Sequence, residues 1–254
     1  MIAQDLAYGA TPRLKLDIYA PATRDKEQFA IVVFFYGGGW ESGDRSLYRF
    51  VGASLAAQGV VTVVPDYRVY PEVRFPAFMD DAAQAVAWAH AHAADFGGDP
   101  QRLFLMGHSA GGQIATLLAL DGRYLRNAGI EPEAITGVVG LAGPYDFLPL
   151  RDPTLKTIFG AESDWPRSQP IDFVTRGAPK MLLLAGDDDD TVDPGNSRRL
   201  AARLQAAGDD VRLIIYPRIG HKTLIGALAD PLTFLAPVRN DLLSFIATTP
   251  GGHE

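Results

Sequence analysis

A serine within a glycine-rich turn is the residue of this sequence best suited to chemistry. Ser109 lies in the run GHSAGG at residues 107–112, which matches the pattern G-x-S-x-G. The apolar run 103–106 before it predicts a buried strand, and the Ala- and Leu-rich run 113–120 after it predicts a helix. Such a turn pushes the serine hydroxyl into the open at a helix N-terminus, where developing negative charge is stabilised. Ser109 is therefore a candidate nucleophile; the alternative is an ordinary serine in a tight turn.

A serine hydroxyl needs a base within hydrogen-bond reach, and the sequence offers few bases. His221 follows the predicted strand 211–216, and we expect it in a flexible loop at the carboxyl edge of a sheet. The other four histidines lie on a predicted helix, inside the serine turn or in the C-terminal tail: His90, His92, His108 and His253. His221 is therefore the candidate base.

The acid that orients such a base is expected between the serine and the histidine in chain order. Four consecutive aspartates, residues 187–190, directly follow the predicted strand 180–185. Two other interpretations of this segment are a solvated acidic loop and a cation site. A calcium loop has ligands at alternate positions, a glycine turn and a distal Glu, which this segment lacks, so we predict no metal.

Acyl transfer also needs donors for the oxyanion that forms on the carbonyl. Residues 37–39 are three glycines that follow the predicted buried strand 30–35. Glycine allows bare backbone N–H groups to turn toward a ligand, although a glycine run can also serve only to make a tight turn. The N–H of Ala110, directly after Ser109, is the other candidate donor.

The composition limits the classes of partner. The chain of 254 residues has a formal net charge of -7 and no basic run, which argues against nucleic acid and anionic membrane surfaces. It has no Cys, so disulfides and thiolate catalysis are excluded. The N-terminus lacks the apolar segment of a signal peptide, and no apolar run is long enough to span a membrane, so we predict a cytoplasmic protein. A homodimer is left open.

Strands alternate with helices along most of the chain. Beyond the segments above, the sequence predicts a half-buried edge strand at 13–19, strands at 60–64 and 137–141, and helices at 47–57, 77–96, 196–207 and about 232–247. This alternation predicts the α/β class, with a mainly parallel sheet flanked by helices and sites at the carboxyl ends of the strands. Residues 143–179, with six prolines and no sustained periodicity, are expected to form a lid within a single domain of residues 1–254. The alternative is a surface insertion without a function.

With these residues in hand, the chain resembles the α/β-hydrolase superfamily. Within it, the chain resembles the esterases with an H-G-G-G motif, which include hormone-sensitive-lipase-like carboxylesterases, feruloyl-esterase-like enzymes and arylformamidases. The resemblance covers nearly the whole chain, through LKLDIYAP, YGGGW, DYRVYPEVRFPA, GDPQRLFLMGHSAGG, the aspartate loop and IGH.

The resemblance implies a role for each of these motifs. The family pattern G-x-x-D-x-x-V, read from Gly186 to Val192, places the acid on Asp189, although a slip of one position would give Asp188 or Asp190. The same resemblance places the oxyanion donors on Gly38, Gly39 and Ala110.

Two features are expected to distinguish this chain from the larger family members. Tyr36 stands where the family has His before the glycines, and we predict that it supplies a structural hydrogen bond in place of that His. The amino-terminal cap helices also look missing, which favours the smaller, more open enzymes. Aromatic residues are then the candidate substrate-binding walls: Trp40, Tyr145, Phe147, Phe159, Trp165 and Phe173.

The resemblance therefore implies a serine carboxylesterase, acting on short-chain or aryl esters through an acyl-enzyme on Ser109, with no cofactor. An arylformamidase is the first alternative, suggested by the GGGW loop. A hydrolase-fold binding protein without catalysis is less favoured, because Ser109 and His221 both stand in place. An amidase or peptidase would use the same triad.

Overall fold

A mainly parallel sheet forms the centre of the molecule. The computed structural model describes residues 3–22 and 28–251, so His253 lies outside the described residues. The strands in these ranges are Ala3–Ala7 (β1), Lys15–Tyr19 (β2), Phe29–Phe35 (β3), Val60–Pro65 (β4), Gly98–His108 (β5), Ile135–Leu141 (β6), Lys180–Gly186 (β7) and Val211–Tyr216 (β8). Their order is β1-β2-β4-β3-β5-β6-β7-β8. The first two pairings are antiparallel and the others are parallel, which confirms the predicted sheet.

Helices follow most of the strands, as the alternation predicts. They are Arg49–Ala56 (α1), Ala77–His92 (α2), Ala110–Leu120 (α3), Arg123–Asn127 (α4), Pro153–Phe159 (α5), Gly195–Ala207 (α6), His221–Gly226 (α7) and Val238–Thr248 (α8). The predicted last helix begins six residues too early. Pro237 directly precedes the first helical residue, Val238, and a proline disfavours helical backbone in the residue before it. None of the helices in the described ranges combines the length and the apolar character needed to cross a membrane.

The apolar runs of the sequence become strands that are buried on both faces. In β3, all six residues from Ala30 to Phe35 are buried, and the run 103–106 of β5 is fully buried beside it. Parallel strands covered by helices on both sides read as continuous apolar runs for this reason. The carboxyl ends of β3, β5, β7 and β8 therefore meet at one edge of the sheet, where the polar motifs follow.

The amino-terminal part of the sheet corrects one expectation. The alternation over 13–19 predicts a half-buried edge strand, but β1 pairs with β2 and forms the edge instead. Asp17, on the face expected to be solvated, is buried and accepts hydrogen bonds from the Asp5 backbone N–H and the Arg45 side chain, both at 3.0 Å. The short strand β1 has no strong apolar pattern of its own, so only the pairing reveals it.

The segment 143–179 is more regular than its sequence suggests. It contains α5 and two 3-10 helices, over 162–168 and 170–173. Asp152 caps α5 by accepting hydrogen bonds from the N–H groups of Thr154 and Leu155, at 2.7 and 2.9 Å, and Pro153 occupies the first helical position. The helix ends at Gly160 after two turns, which is too short for a periodic signal to be recognised.

Candidate active site

The serine turn has the strained geometry of a nucleophile elbow. Ser109 lies between β5 and α3 with a φ of 56° and a ψ of -124°, a conformation that costs a non-glycine residue about 1–3 kcal/mol. Its backbone N–H donates to the Leu141 carbonyl at the end of the neighbouring strand, at 2.9 Å. The hydroxyl therefore stands at the carboxyl edge of the sheet and at the N-terminus of α3, and the residue is partly exposed.

The glycines of the motif allow the strand and the helix to approach each other. A Cβ on Gly107 would lie 2.0 Å from the Gly111 carbonyl oxygen, and a Cβ on Gly111 would lie 2.1 Å from the Phe35 carbonyl oxygen. No side chain fits at either position without moving backbone. The spacing of these glycines around Ser109 is thus required by the elbow itself.

One of the four aspartates contacts the candidate base. Oδ2 of Asp189 lies 2.8 Å from Nδ1 of His221, and Oδ1 accepts hydrogen bonds from the N–H groups of Thr191 and Val192 at 3.0 and 2.8 Å. Asp189 is buried, whereas its neighbours Asp187, Asp188 and Asp190 are exposed. Burial thus distinguishes Asp189 from its three exposed neighbours, and it favours Asp189 as the acid, which is the position that the family pattern implies.

His221 is the first residue of α7, not part of a flexible loop as the sequence suggests. Its carbonyl oxygen lies 3.1 Å from Nε2 of His108, the residue before the nucleophile, and the two rings are 4.6 Å apart. Burial, followed by the nearby His221, lowers the pKa of His108 to about 3, so His108 is neutral. A neutral His108 donates its Nε2–H to this carbonyl and ties α7 to the serine turn.

The glycine run after β3 forms a tight loop beside the serine. Gly38 and Gly39 have φ values of 141° and 63°, and a Cβ on Gly38 would lie 2.1 Å from the Ser42 carbonyl oxygen. Gly38 accepts backbone hydrogen bonds from Glu41 and Ser42 at 3.2 and 3.0 Å, which close the turn. Within residues 3–22 and 28–251, the N–H groups of Gly38, Gly39 and Ala110 have no protein acceptor. The resemblance implies that these three N–H groups are the oxyanion donors, which stays a prediction.

Tyr36 braces this loop from within the core. It is fully buried, its hydroxyl donates to Asp66 Oδ1 at 2.8 Å, and its ring stacks on Tyr67 at 4.8 Å and on Tyr48 at 5.6 Å. Asp66 also accepts a hydrogen bond from the Arg45 backbone N–H at 2.8 Å. The expectation that Tyr36 makes a structural hydrogen bond is confirmed, and burial raises the pKa of its hydroxyl, which keeps it protonated.

A cavity of about 460 Å³ opens beside Ser109, and its wall includes Gly39 and Ala110. Its apolar wall includes Trp40, Pro144, Phe147, Leu150, Leu155 and Val192. Its polar lining includes Arg151 of the segment 143–179, Thr191 of the loop after Asp189 and Asn196 of α6. The volume is that of a small-molecule site.

The aromatic residues expected to form the wall divide into two groups. Trp40 and Phe147 line the cavity, with their rings stacked at a centroid distance of 5.7 Å. Tyr145 is fully buried in the core and is absent from the cavity wall, which corrects its expected contact with substrate. Its backbone N–H donates to Asn196 Oδ1 at 2.9 Å. Phe159 is also buried, with its ring edge-on to Trp40 at 4.9 Å.

Sequence reasoning missed the buried amides that hold this site together. Asn196 Oδ1 accepts from the backbone N–H groups of Tyr145 and Asp146, both at 2.9 Å, and so fixes the start of the segment 143–179. Gln113 on α3 is fully buried and makes hydrogen bonds to Trp40 and Ser168. Gln169 is almost fully buried and accepts from the Phe147 backbone N–H. For Gln113 the available signal was an amide within an apolar helical run, since buried amides need partners.

Comparison with known proteins agrees with this geometry. The BD-FAE family model matches residues 16–204, which contain the serine turn, the glycine loop and Asp189. The chain belongs to the BD-FAE family. Among curated proteins, this BD-FAE chain is 30% identical over 252 residues to a probable isoprenylcysteine alpha-carbonyl methylesterase, ICMEL2, of Arabidopsis thaliana, covering 91% of this chain and 59% of that protein. It is also 30% identical over 233 residues to esterase LipC of Mycobacterium tuberculosis, covering 84% and 58%. The chain thus spans just under three fifths of the length of these relatives.

Solved esterase structures share the α/β-hydrolase fold of the BD-FAE chain. Apo esterase 2 of Thermogutta terrifontis matches with a TM-score of 0.80 and 25% identity, over 97% of this chain and 95% of that one. A truncated carbohydrate esterase from gut microbiota matches with a TM-score of 0.83 at 21% identity, over 97% and 95%, which shows the shared fold. The predicted fold class is confirmed.

Proposed function

We propose that this protein is a serine carboxylesterase that hydrolyses short-chain or aryl esters through an acyl-enzyme on Ser109. The observation that carries the proposal is the hydrogen bond of 2.8 Å between buried Asp189 and Nδ1 of His221, at the sheet edge where Ser109 lies. Because Nδ1–H donates to the carboxylate, Nε2 of His221 carries the lone pair that can accept the serine proton. Esterase relatives and esterase structures support the same activity.

The residues have separate roles in the proposed reaction. As Ser109 Oγ bonds to the carbonyl carbon, its proton passes to His221 Nε2, and the carbonyl oxygen becomes an oxyanion facing the N–H groups of Gly38, Gly39 and Ala110. Collapse of this intermediate breaks the bond to the alcohol oxygen, which leaves with the proton from His221. A water molecule then gives its proton to His221 and attacks the acyl carbon, and Ser109 recovers its proton as the acid is released.

The cavity supports small acyl or aryl groups as the substrate class. Its volume of about 460 Å³ and its aromatic wall of Trp40 and Phe147 suit a compact apolar group next to the reacting carbonyl. Thermogutta terrifontis esterase 2, a structural neighbour at 26–27% identity, has been solved with propionate and with butyrate bound. We expect acyl groups of this size to be accepted here as well.

The test compares p-nitrophenyl acetate, butyrate and octanoate with wild type and with Ser109→Ala, following nitrophenol release over time for a burst. We expect turnover that falls with acyl length, a burst equal to the enzyme concentration, and no turnover by Ser109→Ala. The control is Ser244→Ala, which removes an exposed hydroxyl on α8. Equal turnover by Ser109→Ala and wild type would refute the nucleophile.

An added assay with a formyl anilide separates the alternative functions. Hydrolysis of a formyl anilide by wild type at a higher kcat/KM than any of these esters would identify an arylformamidase. If neither an ester nor a formyl anilide turns over, the hydrolase-fold binding protein becomes the better interpretation. The cytoplasmic location stays a prediction of the sequence, and a homodimer stays an open alternative.

A further inference from the structure

A fully buried glutamine connects the elbow helix to two other parts of the site. Gln113 lies one turn after Ser109 on α3, and its backbone N–H donates to the Ser109 carbonyl at 3.2 Å. Its side-chain Oε1 accepts from Trp40 Nε1 at 3.1 Å, and its Nε2 donates to the Ser168 carbonyl at 2.8 Å. Because an indole N–H only donates and a carbonyl only accepts, these two partners fix the orientation of the amide.

The hydrogen bonds continue from Ser168 through the lid. Ser168 Oγ accepts from Gln169 Nε2 at 2.8 Å and donates to the Trp165 carbonyl at 2.7 Å. Gln169 Oε1 accepts from the Phe147 backbone N–H at 2.8 Å. Ser168 and Gln169 are at most 1% exposed, so neither has water as an alternative partner. We call Gln113, Ser168 and Gln169 the amide network.

The two ends of the amide network are the aromatic residues that face each other in the cavity. Trp40 is held through its indole N–H and Phe147 through its backbone N–H. Their rings stack at 5.7 Å with an interplanar angle of 23°. Trp40 directly follows the candidate oxyanion donor Gly39 and has a φ of 60°, so its backbone is not in a relaxed conformation. The Gln113 hydrogen bond therefore helps to hold both the ring and the loop in place.

We propose that the amide network is a specificity-determining element that fixes the spacing of Trp40 and Phe147 and so sets the acyl length that the enzyme accepts. The inference rests on the proposed function, since it concerns the same cavity. The members of the network are positioning residues, because they act on the cavity through the two aromatic residues that line it. A satisfied buried network of this kind imposes one arrangement on the groups at its ends.

The chemistry of the amide makes the substitution specific. Gln113→Met has nearly the same length and volume but loses both hydrogen bonds, so the Trp40 N–H is left buried without an acceptor. The indole N–H can then regain a hydrogen bond by rotating toward the cavity, where water accepts it. Gln169→Met leaves Trp40 bonded to Gln113, but it removes the hydrogen bond to Ser168 Oγ and releases the Phe147 end. Both variants widen or reshape the same wall, from opposite sides.

The experiment measures kcat/KM for p-nitrophenyl acetate, butyrate and octanoate, with active sites counted from the burst. We expect Gln113→Met and Gln169→Met each to change the ratio of butyrate to octanoate kcat/KM by about fivefold or more, which is a change of about 1 kcal/mol in relative barrier. The matched control is Thr116→Val, which removes a fully buried hydroxyl of the same helix that is not part of the amide network. Its ratio should equal that of wild type.

A second variant keeps the test decisive if Gln113→Met does not fold. Trp40→Phe retains an aromatic ring and deletes the N–H that Gln113 accepts, and it should shift the same ratio. The inference would be overturned if variants that fold but lack a hydrogen bond of the amide network kept the wild-type ratio. If Ser109→Ala is inactive and the ratio is unmoved, the inference alone is wrong. If Ser109→Ala keeps full turnover, the proposed function is wrong.

Discussion

The contact between Asp189 and His221 gives the most decisive prediction for this site. Asp189→Asn changes one carboxylate oxygen into an amide NH₂ and leaves the shape of the side chain almost unchanged. Two backbone N–H groups, from Thr191 and Val192, point at Oδ1, and one ring nitrogen, Nδ1 of His221, contacts Oδ2. The single amide oxygen of Asn can satisfy only one of these two sides.

The number of donors decides which side keeps the oxygen. Turning the NH₂ group toward the loop would oppose two backbone N–H groups and lose both hydrogen bonds, at about 1–3 kcal/mol for each buried donor. We therefore expect the amide oxygen to stay on the loop, with the NH₂ facing His221. The ring must then accept at Nδ1, which places its proton on Nε2. In that tautomer His221 cannot accept the proton of Ser109.

The expected loss follows from this wrong tautomer. In the Ser-His-Asp template, the corresponding change lowers kcat by about 10⁴-fold, or about 5.5 kcal/mol. We expect a similar loss for Asp189→Asn in p-nitrophenyl butyrate hydrolysis, with little change in the thermal midpoint because the loop hydrogen bonds survive. The controls Asp188→Asn and Asp190→Asn change exposed carboxylates that do not contact His221 and should leave kcat within about twofold. A loss below tenfold for Asp189→Asn, or an equal loss for either control, would refute the assignment of the acid.

Two further predictions concern groups behind the site. Tyr36→Phe deletes the hydroxyl that donates to buried Asp66, and it should lower the free energy of unfolding, measured by urea titration, by about 1–3 kcal/mol. Tyr36→His should not raise kcat/KM. Low wild-type activity that Tyr36→His rescues would show that the missing family His is needed for activity. Burial and the nearby His221 lower the pKa of His108 to about 3. Between about pH 6.5 and 3 the unfolded chain therefore binds a proton at this histidine that the folded chain does not, so the free energy of unfolding should fall as the pH drops through this range. His108→Gln should flatten the decrease of the thermal midpoint between pH 6.5 and 4 relative to wild type, and an unchanged slope would contradict the buried neutral histidine.

Local chemistry explains why the sequence predicts the main features of this protein. The elbow needs a serine between glycines after an apolar strand, and a Cβ on Gly107 or Gly111 would collide with backbone, so the requirement is written in adjacent residues. The strand–helix alternation likewise predicts a mainly parallel sheet whose carboxyl ends meet. The places of Ser109, His221 and the glycine loop follow from these two signals.

The tertiary structure decided what depends on burial and on distant partners. Asp189 is the one of the four aspartates whose carboxylate is buried against His221; the family resemblance implies this register, but the aspartate run itself leaves Asp188 and Asp190 as alternatives. The sequence favours Tyr145 as a cavity wall because it is aromatic and lies within residues 143–179, but its ring is fully buried in the core and its backbone N–H donates to Asn196 Oδ1.

The amide network shows the same limit from the other direction. Gln113 lies 73 residues from Trp40 and 55 from Ser168, so its two hydrogen bonds exist only after the glycine loop, the elbow helix and the lid have packed together. The sequence determined which residue types could do chemistry and on which edge of the sheet they would lie, because those requirements are local. The folded structure decided which of several equivalent side chains lost their water, and burial is a property of the whole packed core.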